Sequence, residues 1–533
     1  MTAKQDPLWW HLALLLVASA SFESLFLRHS LNVLDEGWPL YAAMRLHAGG
    51  TLYQDVFFVF PPGHVLAAWV GYGLDPPGIL VSRVIYAAFN VSLCLAMYFL
   101  GRQLMPASFA LLGGLILAFS APQSHDWQLL FGYRYLVWTV LALLAFQRRV
   151  TTGSGRWMAV AGVLTGIALC FRLTPAFAAG LGVGVASLTL TGTWRSRFED
   201  LALFGLGIVA VVAPVAGWFA ASVGVDTLWL EVVERPVAMT ALQSRPVPAL
   251  ELPPLWNRYF ISESFVGLRF RLPILLYGGY LLLLAARWAR SVRRAEPFDR
   301  PLLLAVVLWG ASYFLRSLGR SDAPHLDSAI PPLCLLLAHA LYASLTRLAP
   351  LSAWTQRNRQ PIGVVTGALL LGTWVFLYGS DTWLDPANRG WTPVQSAKGQ
   401  TSLGESARLM RIDRKVLEIQ ELSRPGETIL DLSAAPMLHV LTGRTGPGYA
   451  DLLIPGTFLD AAEEDAFLRR LMREPPSLVI APVQYFDRMQ ERAVEITAPR
   501  IAHWVRNHYM PRGDKKLRLL LVPRSQPPQR PPP

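Results

Sequence analysis

Eleven runs of mainly apolar residues divide the first 378 residues of this 533-residue chain. A helix needs about 20 mainly apolar residues to cross a bilayer, and shorter runs can reach that length through tilt and ragged ends. This pattern predicts a polytopic α-helical membrane protein with about eleven transmembrane helices. The runs are Leu8 to Leu27, Ile79 to Leu100, Ala107 to Ala121, Tyr133 to Phe146, Trp157 to Phe171, Pro175 to Leu190, Leu201 to Ser222, Leu272 to Ala286, Pro301 to Leu315, Ser328 to Leu345 and Pro361 to Tyr378.

The distribution of acidic residues separates the chain into two parts. Of the 36 Asp and Glu residues, 18 lie in residues 1–379 and the other 18 in the last 154. We therefore expect a membrane domain over 1–379 whose first outward loop is 28–78. Residues 380–525 mix short apolar segments with helical ones and are predicted to form a soluble α/β domain. The tail, 526–533, contains only Pro, Gln and Arg and should be disordered.

Basic residues indicate the orientation, because Lys and Arg near span ends stay on the cytoplasmic side. They fall in every second connection, which places the N-terminus inside and everything after Gly379 outside. A cleaved signal peptide ending near Ala20 is the alternative for the first run. The residues that define the inner side are Lys4, Arg102, Arg148, Arg149, Arg156, Arg195, Arg197, Arg287, Arg290, Arg293, Arg294, Arg300, Arg347, Arg357 and Arg359.

Composition also excludes several classes of function. The net charge of +12 comes from arginines clustered between apolar runs, so it indicates membrane anchoring and not nucleic-acid binding. The three cysteines, Cys94, Cys170 and Cys334, all lie inside apolar runs and cannot build a disulfide framework or a thiolate zinc site. Nucleotide-binding and metalloprotease motifs are absent.

The first outward loop carries the most informative motif. Asp35-Glu36-Gly37 directly follows the first run, and a short predicted helix with Pro39 near its start comes next. Tyr53-Gln54-Asp55 and Phe60-Pro61-Pro62-Gly63-His64 then lead into the second run. Taken alone, Asp35 has a structural alternative, because Asp is among the best residues for capping a helix N-terminus.

This arrangement resembles the GT-C glycosyltransferases that use polyprenyl-phosphate sugars, particularly the protein O-mannosyltransferase and lipid A aminoarabinose transferase group. The resemblance implies that Asp35 is the catalytic acidic residue, with Glu36 beside it. It also implies a GT-C-like bacterial inner-membrane enzyme whose loop and C-terminal domain are periplasmic. Such an enzyme moves a hexose or pentose from a polyprenyl-monophosphate donor to a lipid, glycan or protein hydroxyl.

The chemistry of that reaction needs one carboxylate. A general base takes the proton of the acceptor hydroxyl as it attacks the anomeric carbon, while the phosphate leaves as a stable anion. This displacement would invert the anomeric centre. Cations and polar groups of the outward loops are candidates for substrate binding. They are Arg45, Asp55, His64, Arg134, Arg172, Arg320, Asp322 and His325.

Three alternatives remain open from the sequence. Asp322 with Asp327 could cap the next helix while Arg320 reaches to headgroups. No cofactor is certain, but His64, His125 and Asp126 could contribute to a divalent metal site with a carboxylate of the first loop. A transporter or flippase of polyprenyl-linked sugars is the alternative function, although the acids lie in outward loops and no repeated halves are visible. A non-catalytic scaffold gives no reason for the Asp35 motif.

Overall fold

The computed structural model describes residues 8–120, 129–130, 132–247, 260–322, 325–326, 329–348, 363–373, 391–404, 409–482, 484–512 and 520–524. Helices dominate up to residue 373. They are α1 Leu8–Phe26, α2 Gly37–His47, α3 Gly63–Leu74, α4 Ile79–Gly101, α5 Ala107–Ala118, α6 Val137–Thr152, α7 Arg156–Phe171, α8 Leu173–Leu188, α9 Trp194–Val223, α10 Val225–Trp229, α11 Arg235–Leu242, α12 Phe260–Arg294, α13 Pro301–Ser317, α14 Ile330–Leu348 and α15 Gly363–Thr373. A π-helical turn, Leu230–Glu234, joins α10 to α11.

Each of the eleven apolar runs contains a helix. Within the described residues, four helices are long and apolar enough to cross a membrane: Leu8–Phe26, Ile79–Gly101, Trp194–Val223 and Phe270–Arg294. Five more apolar helices, α5, α7, α8, α13 and α15, are shorter. The total of eleven spans therefore stays a prediction, and so does the orientation, for which Lys4 lies outside the described residues.

Small residues let these helices approach closely. A Cβ atom at Gly182 of α8 would overlap the Ala305 carbonyl of α13, and one at Gly162 of α7 would overlap the Phe204 carbonyl of α9. Such contacts bring backbones together, which is how helices gain packing energy where apolar burial against lipid offers little. Helix α13 is buried along most of its length, with Trp309 at its centre.

After residue 391 the chain contains a small sheet. Strands β1 Trp391–Pro393 and β2 Ser402–Gly404 form an antiparallel pair. The larger sheet has the order β3-β4-β6-β5, in which β3 pairs parallel with β4 and the other pairings are antiparallel. That this region is a separate soluble domain stays a prediction. The remaining elements are α16 Leu409–Leu422, β3 Ile429–Asp431, α17 Met437–Thr442, α18 Ala461–Arg473, β4 Leu478–Ile480, α19 Val494–Thr497, α20 Pro499–His508, β5 Tyr509–Pro511 and β6 Leu520–Pro523.

The loop formed by residues 28–78 packs directly on this C-terminal region. The Met437 amide donates to the Val33 carbonyl over 3.0 Å, and a Cβ atom at Gly37 would overlap the Met437 backbone. Leu40 of α2 shares one buried apolar cluster with Leu438 of α17. The close approach of the Met437 backbone therefore explains the glycine at position 37. The Asp35 turn lies between the membrane helices and the C-terminal region.

Candidate functional site

Asp35 lies in a tight turn just before α2. The Asn32 side-chain oxygen accepts the amides of Leu34 and Asp35 over 3.0 and 2.8 Å, and Asn32 Nδ2 lies 3.4 Å from Asp35 Oδ2. Glu36 occupies the N-cap position of α2, and no side chain there bonds a helix amide. Asp35 is thus half-buried in a turn that another residue organises, and the helix-capping alternative does not describe it.

Glu36 is fully buried in an ion pair. Its two oxygens accept Arg83 Nε and Nη2 of α4 over 2.6 and 2.8 Å, and both side chains have no exposed surface. Arg83 also donates to the backbone carbonyls of His29 and Ser30 over 3.1 and 2.8 Å. This geometry fastens the Asp35 turn to a membrane helix and leaves Glu36 enclosed by its partner.

A cavity of about 480 Å³ opens where α8, α11 and α13 meet the first loop. Its polar wall carries Arg172, Arg316, Arg320, Gln243 and His325. Its other wall is apolar, from side chains that include Phe60, Phe177, Val232 and Val237. We call it the Arg172 cavity. A lining that combines cations with apolar side chains suits an amphiphilic anion.

Two further arginines, Arg172 and Arg316, line this cavity. Arg172 connects α7 to α8, donates to the Leu130 carbonyl over 3.3 Å and lies 5.6 Å from the centre of the Phe60 ring. Arg316 donates to the Thr240 hydroxyl over 2.9 Å. Among the residues the structure describes, no carboxylate lies within 4.0 Å of the Arg316 guanidinium. Sequence reasoning missed Arg316, although a basic residue at the end of an apolar span was a visible signal.

Arg320, by contrast, is held by carboxylates. It contacts Asp322 Oδ2 at 2.9 Å and Asp487 Oδ2 at 3.1 Å, and it donates to the Gln243 amide oxygen. Asp487 and Arg488 both have a left-handed backbone, with φ of 57° and 63°. Strained non-glycine residues concentrate at sites where geometry matters. The sequence named Arg320 among the candidates for substrate binding, and the structure places two acids against it.

His325 contacts one of these two acids, Asp322. Its Nδ1 lies 2.5 Å from Asp322 Oδ1, and burial, helped by the charges of Arg172 and Arg320, lowers the pKa of His325 to about 4. The His325 and Arg320 contacts hold the pKa of Asp322 well below its usual range, although burial alone would raise it. At neutral pH the pair therefore consists of a neutral His325 imidazole and the Asp322 carboxylate. His325 lines the same cavity as Arg320.

This arrangement predicts a specific pH dependence of stability. The pKa of His325 is about 4 when folded and about 6.5 when unfolded, so the unfolded chain binds more protons between those values. Full stability is present above pH 6.5 and is lost as the pH falls towards 4, by roughly 3 kcal/mol. Between pH 7.5 and 4.5 in detergent, the free energy of unfolding of the parent should fall relative to that of His325→Gln, which lacks the titrating ring. Parallel curves would show that His325 titrates normally.

Arg45 and Asp55 belong to a contact between the first loop and the C-terminal region. Arg45 forms an ion pair with Asp451 and donates to the Tyr41 hydroxyl and the Asp55 carbonyl over 3.0 and 3.1 Å. Burial raises the pKa of the Asp451 carboxyl to about 7, against the opposing effect of Arg45. The Asp55 carboxylate accepts the Thr51 amide over 2.9 Å and so shapes its own turn.

His64 and Arg134 are likewise engaged inside the protein. His64 Nδ1 lies 2.5 Å from the Tyr86 hydroxyl, and burial lowers the pKa of His64 to about 3. Arg134 pairs with Glu23 of α1 through contacts of 3.1 and 3.0 Å, and both side chains are buried. A carboxylate inside an apolar membrane helix is costly, and this ion pair compensates the charge of Glu23.

The possible metal site is not assembled in the described part of the chain, where no three His, Cys, Asp or Glu side chains cluster suitably. His125 and Asp126 lie outside the described residues. His64 is enclosed by Tyr86 and by the rings of Tyr135 and Phe171.

A second cavity, of about 440 Å³, lies between the first loop and the C-terminal region. We call it the Asp487 cavity. Leu34, the neighbour of Asp35, lines it together with Ser433 and Asp487. Because Arg320 lines the Arg172 cavity and pairs with Asp487, the ion pair stands between the two cavities. Arg245 and Arg492, which sequence reasoning also missed, complete this network around Asp487.

Comparison with known proteins finds no matching protein family and no matching curated sequence. The fold is similar to that of ArnT from Cupriavidus metallidurans bound to undecaprenyl phosphate, with a TM-score of 0.56 and 17% identity over 96% of this chain and 97% of that chain. It is also similar to the Archaeoglobus fulgidus oligosaccharyltransferase tethered with an acceptor peptide containing the NVT sequon, with a TM-score of 0.51 and 13% identity over 95% of this chain and 72% of that chain. The predicted resemblance to GT-C enzymes is confirmed at the level of the fold.

Proposed function

We propose that this protein is an inverting membrane glycosyltransferase that takes a sugar from a polyprenyl-monophosphate donor. The observation that carries the proposal is the Arg172 cavity, whose lining of cationic and apolar side chains matches a phosphate joined to a hydrocarbon chain. The similar ArnT structure contains undecaprenyl phosphate, which supports the same donor class here. The acceptor is a hydroxyl of a lipid, glycan or protein.

In this mechanism Asp35 is the general base and the arginines stabilise the leaving group. Asp35 takes the proton from the acceptor hydroxyl as its oxygen attacks the anomeric carbon, and the bond to the donor phosphate breaks with inversion. Negative charge increases on the departing phosphate, so cations positioned beforehand lower the barrier. The Asp487 cavity, beside Leu34, is the proposed entry for the acceptor.

We assign the phosphate to cavity arginines other than Arg320. Arg320 is compensated by Asp322 and Asp487, whereas Arg316 has no described carboxylate within 4.0 Å and lines the cavity together with Arg172. We therefore place Arg172 and Arg316 at the phosphate. Arg320 then orients the wall that separates the two cavities.

Replacing Arg172 should impair use of the donor. We expect Arg172→Ala to lower kcat/KM for the donor by about 30- to 100-fold, because a charge-assisted contact to phosphate is lost. Arg172→Lys should recover only part, because it keeps the charge and loses the planar fork. The measurement is transfer at varied donor concentration, with Arg195→Ala, an exposed arginine of α9, as the control. Parental kinetics in a folded Arg172→Ala protein would place the phosphate elsewhere.

The proposed orientation is tested by cysteine labelling. After Cys94, Cys170 and Cys334 are replaced, cysteines at Asp226 and Lys398 should react in intact cells with a membrane-impermeant thiol reagent, and one at Arg293 should not. All three positions are exposed in the structure. Gly224 is less suitable because its φ is +88°, and Gly390 lies outside the described residues. Labelling at both Arg293 and Lys398 would overturn the assigned sides.

The activity itself is tested by incubating purified protein with a panel of labelled polyprenyl-phosphate sugars and membrane extract as the acceptor source. A glycosyltransferase should release polyprenyl phosphate and transfer the labelled sugar to an acceptor. The anomeric configuration of the transferred sugar should be inverted relative to the donor. A transporter would leave every donor intact and move it between the leaflets of a vesicle. Intact donors throughout the panel, together with such movement, would replace the proposal by the transporter alternative.

A further inference from the structure

A third cavity, of about 500 Å³, lies between α12, α13 and α14. We call it the Arg300 cavity. Three arginines line it, one from each neighbouring segment: Arg287 on α12, Arg300 directly before α13 and Arg347 at the end of α14. The rest of the lining is mixed, with Leu276, Leu283 and Leu303 on the apolar side and Tyr280, His339 and Ser344 among the polar side chains. It therefore has the same mixed character as the Arg172 cavity, in a different place.

The arginines carry more positive charge than their described partners neutralise. Asp299 lies 2.8 Å from Arg287 and 3.3 Å from Arg300, so one carboxylate serves two guanidinium groups. For Arg347, no ion pair is formed with any residue that the structure describes. The N-terminus of α13, which starts with Pro301, adds the positive end of a helix dipole next to Arg300. An anion is the ligand that this excess favours.

The cavity is continuous with an apolar surface of α12. Leu275 lines it and is 73% exposed, and Leu282, seven residues later on the same face, is 75% exposed. Large apolar side chains so exposed on a membrane helix face hydrocarbon. A ligand with its anionic group among the arginines can therefore extend an apolar chain along α12.

Position distinguishes this cavity from the proposed donor site. Arg300 and Arg316 stand at opposite ends of α13, and 16 residues of helix separate them by about 24 Å. That distance approaches the thickness of a bilayer's hydrocarbon core, about 30 Å. A phosphate in the Arg172 cavity cannot reach the Arg300 cavity, so the two sites serve opposite leaflets.

We propose that the Arg300 cavity binds the headgroup phosphate of an anionic phospholipid in the leaflet opposite the proposed donor site. The guanidinium groups of Arg287, Arg300 and Arg347 donate to the phosphate oxygens, and the acyl chains follow Leu275 and Leu282. Basic pockets between membrane helices bind such headgroups by the same chemistry. Unlike the Asp35 mechanism, this site requires no transfer activity, so its test is independent of the proposed function.

Native mass spectrometry of the purified full-length protein tests the site. Phosphatidylglycerol should remain bound where phosphatidylcholine does not, and the double change Arg300→Ala with Arg347→Ala should weaken binding by about fivefold for each arginine. Arg293→Ala, at the same end of α12 but outside the cavity lining, is the matched control and should bind as the parent does. Asp299→Asn should strengthen binding, because it removes the competing carboxylate.

Three results would overturn the proposal. The first is equal retention of the two lipids. The second is unchanged binding in Asp299→Asn, a variant that keeps all three arginines and so does not depend on the double variant folding. The third is displacement of phosphatidylglycerol by millimolar inorganic phosphate, which would show a site for free phosphate and not for lipid. Resistance to inorganic phosphate, together with the opposite effects of the arginine and Asp299 changes, would support it.

Discussion

Asp35→Asn should lower sugar transfer by at least about 100-fold while leaving the fold intact, because loss of a general base costs roughly that much or more. The side chain keeps its shape but no longer takes the acceptor proton. The turn should survive, since Asn32 organises it through the amides of Leu34 and Asp35. The loss should appear in kcat at saturating donor, with little change in donor binding, because Asp35 acts on the acceptor.

The matched control for this change is Asp75→Asn. Asp75 lies in the same outward loop and is exposed, so its neutralisation should leave transfer near the parental rate. Thermal unfolding of both variants separates a catalytic effect from a folding defect. If folded Asp35→Asn turned over like the parent at saturating donor and acceptor, the base would be another group and the resemblance would have placed the site wrongly.

The helix positions were predictable because a membrane helix needs a long apolar run, and that requirement is visible in the sequence. The run Ile79 to Leu100 corresponds to helix Ile79–Gly101 within one residue. The run beginning at Tyr133 was less exact, because Arg134–Leu136 form a separate turn before helix Val137–Thr152. A buried apolar turn has the same composition as the start of a helix, so hydropathy cannot separate them.

Hydropathy also failed to predict the ends of helices that continue past their apolar segment into polar residues. Helix Trp194–Val223 begins seven residues before the predicted Leu201, with the Thr193 hydroxyl accepting the Ser196 amide at its start. The Asp460 cap of Ala461–Arg473 was predictable, and its carboxylate does accept the Ala462 amide. Local chemistry of this kind is legible in sequence because the partners are two or three residues apart.

The candidate site was only partly predictable, because most of its contacts join residues that are far apart in the sequence. Asp35 stood out because Asp35-Glu36-Gly37 is followed by a short predicted helix and by Phe60-Pro61-Pro62-Gly63, a combination that resembles the first loop of GT-C enzymes. The pairing of Arg320 with Asp487 joins residues 167 positions apart, and no spacing rule shows it. The sequence placed Glu36 in the candidate site only because it is next to Asp35. Its fully buried partner, Arg83, lies 47 residues away on another helix. The sequence therefore identified the loop that carries the candidate residues, but not the distant residues with which they form ion pairs.

Glu36→Gln should therefore act mainly on stability. Removing one partner of a buried ion pair costs about 3–5 kcal/mol, because the other charge remains buried without compensation. Arg83→Met should cost as much, since the carbonyls of His29 and Ser30 also lose their donor. The measurement is the free energy of unfolding in detergent. Arg195→Ala is the control: its pair with Glu199 is exposed, 90% and 60%, so the loss should be below about 1 kcal/mol.

Combining Glu36→Gln with Arg83→Met tests whether the two changes remove the same interaction. The double variant should lose less stability than the two single losses added together, since partners in one ion pair are not independent. Folded Glu36→Gln molecules should still transfer sugar within about tenfold of the parent, because Glu36 is enclosed by Arg83 and reaches the acceptor only through the position of Asp35. A Glu36→Gln protein as stable as the parent but as inactive as Asp35→Asn would make Glu36 the base. The role of the Arg83 pair would then be to set the charge of that base and not to fasten the turn.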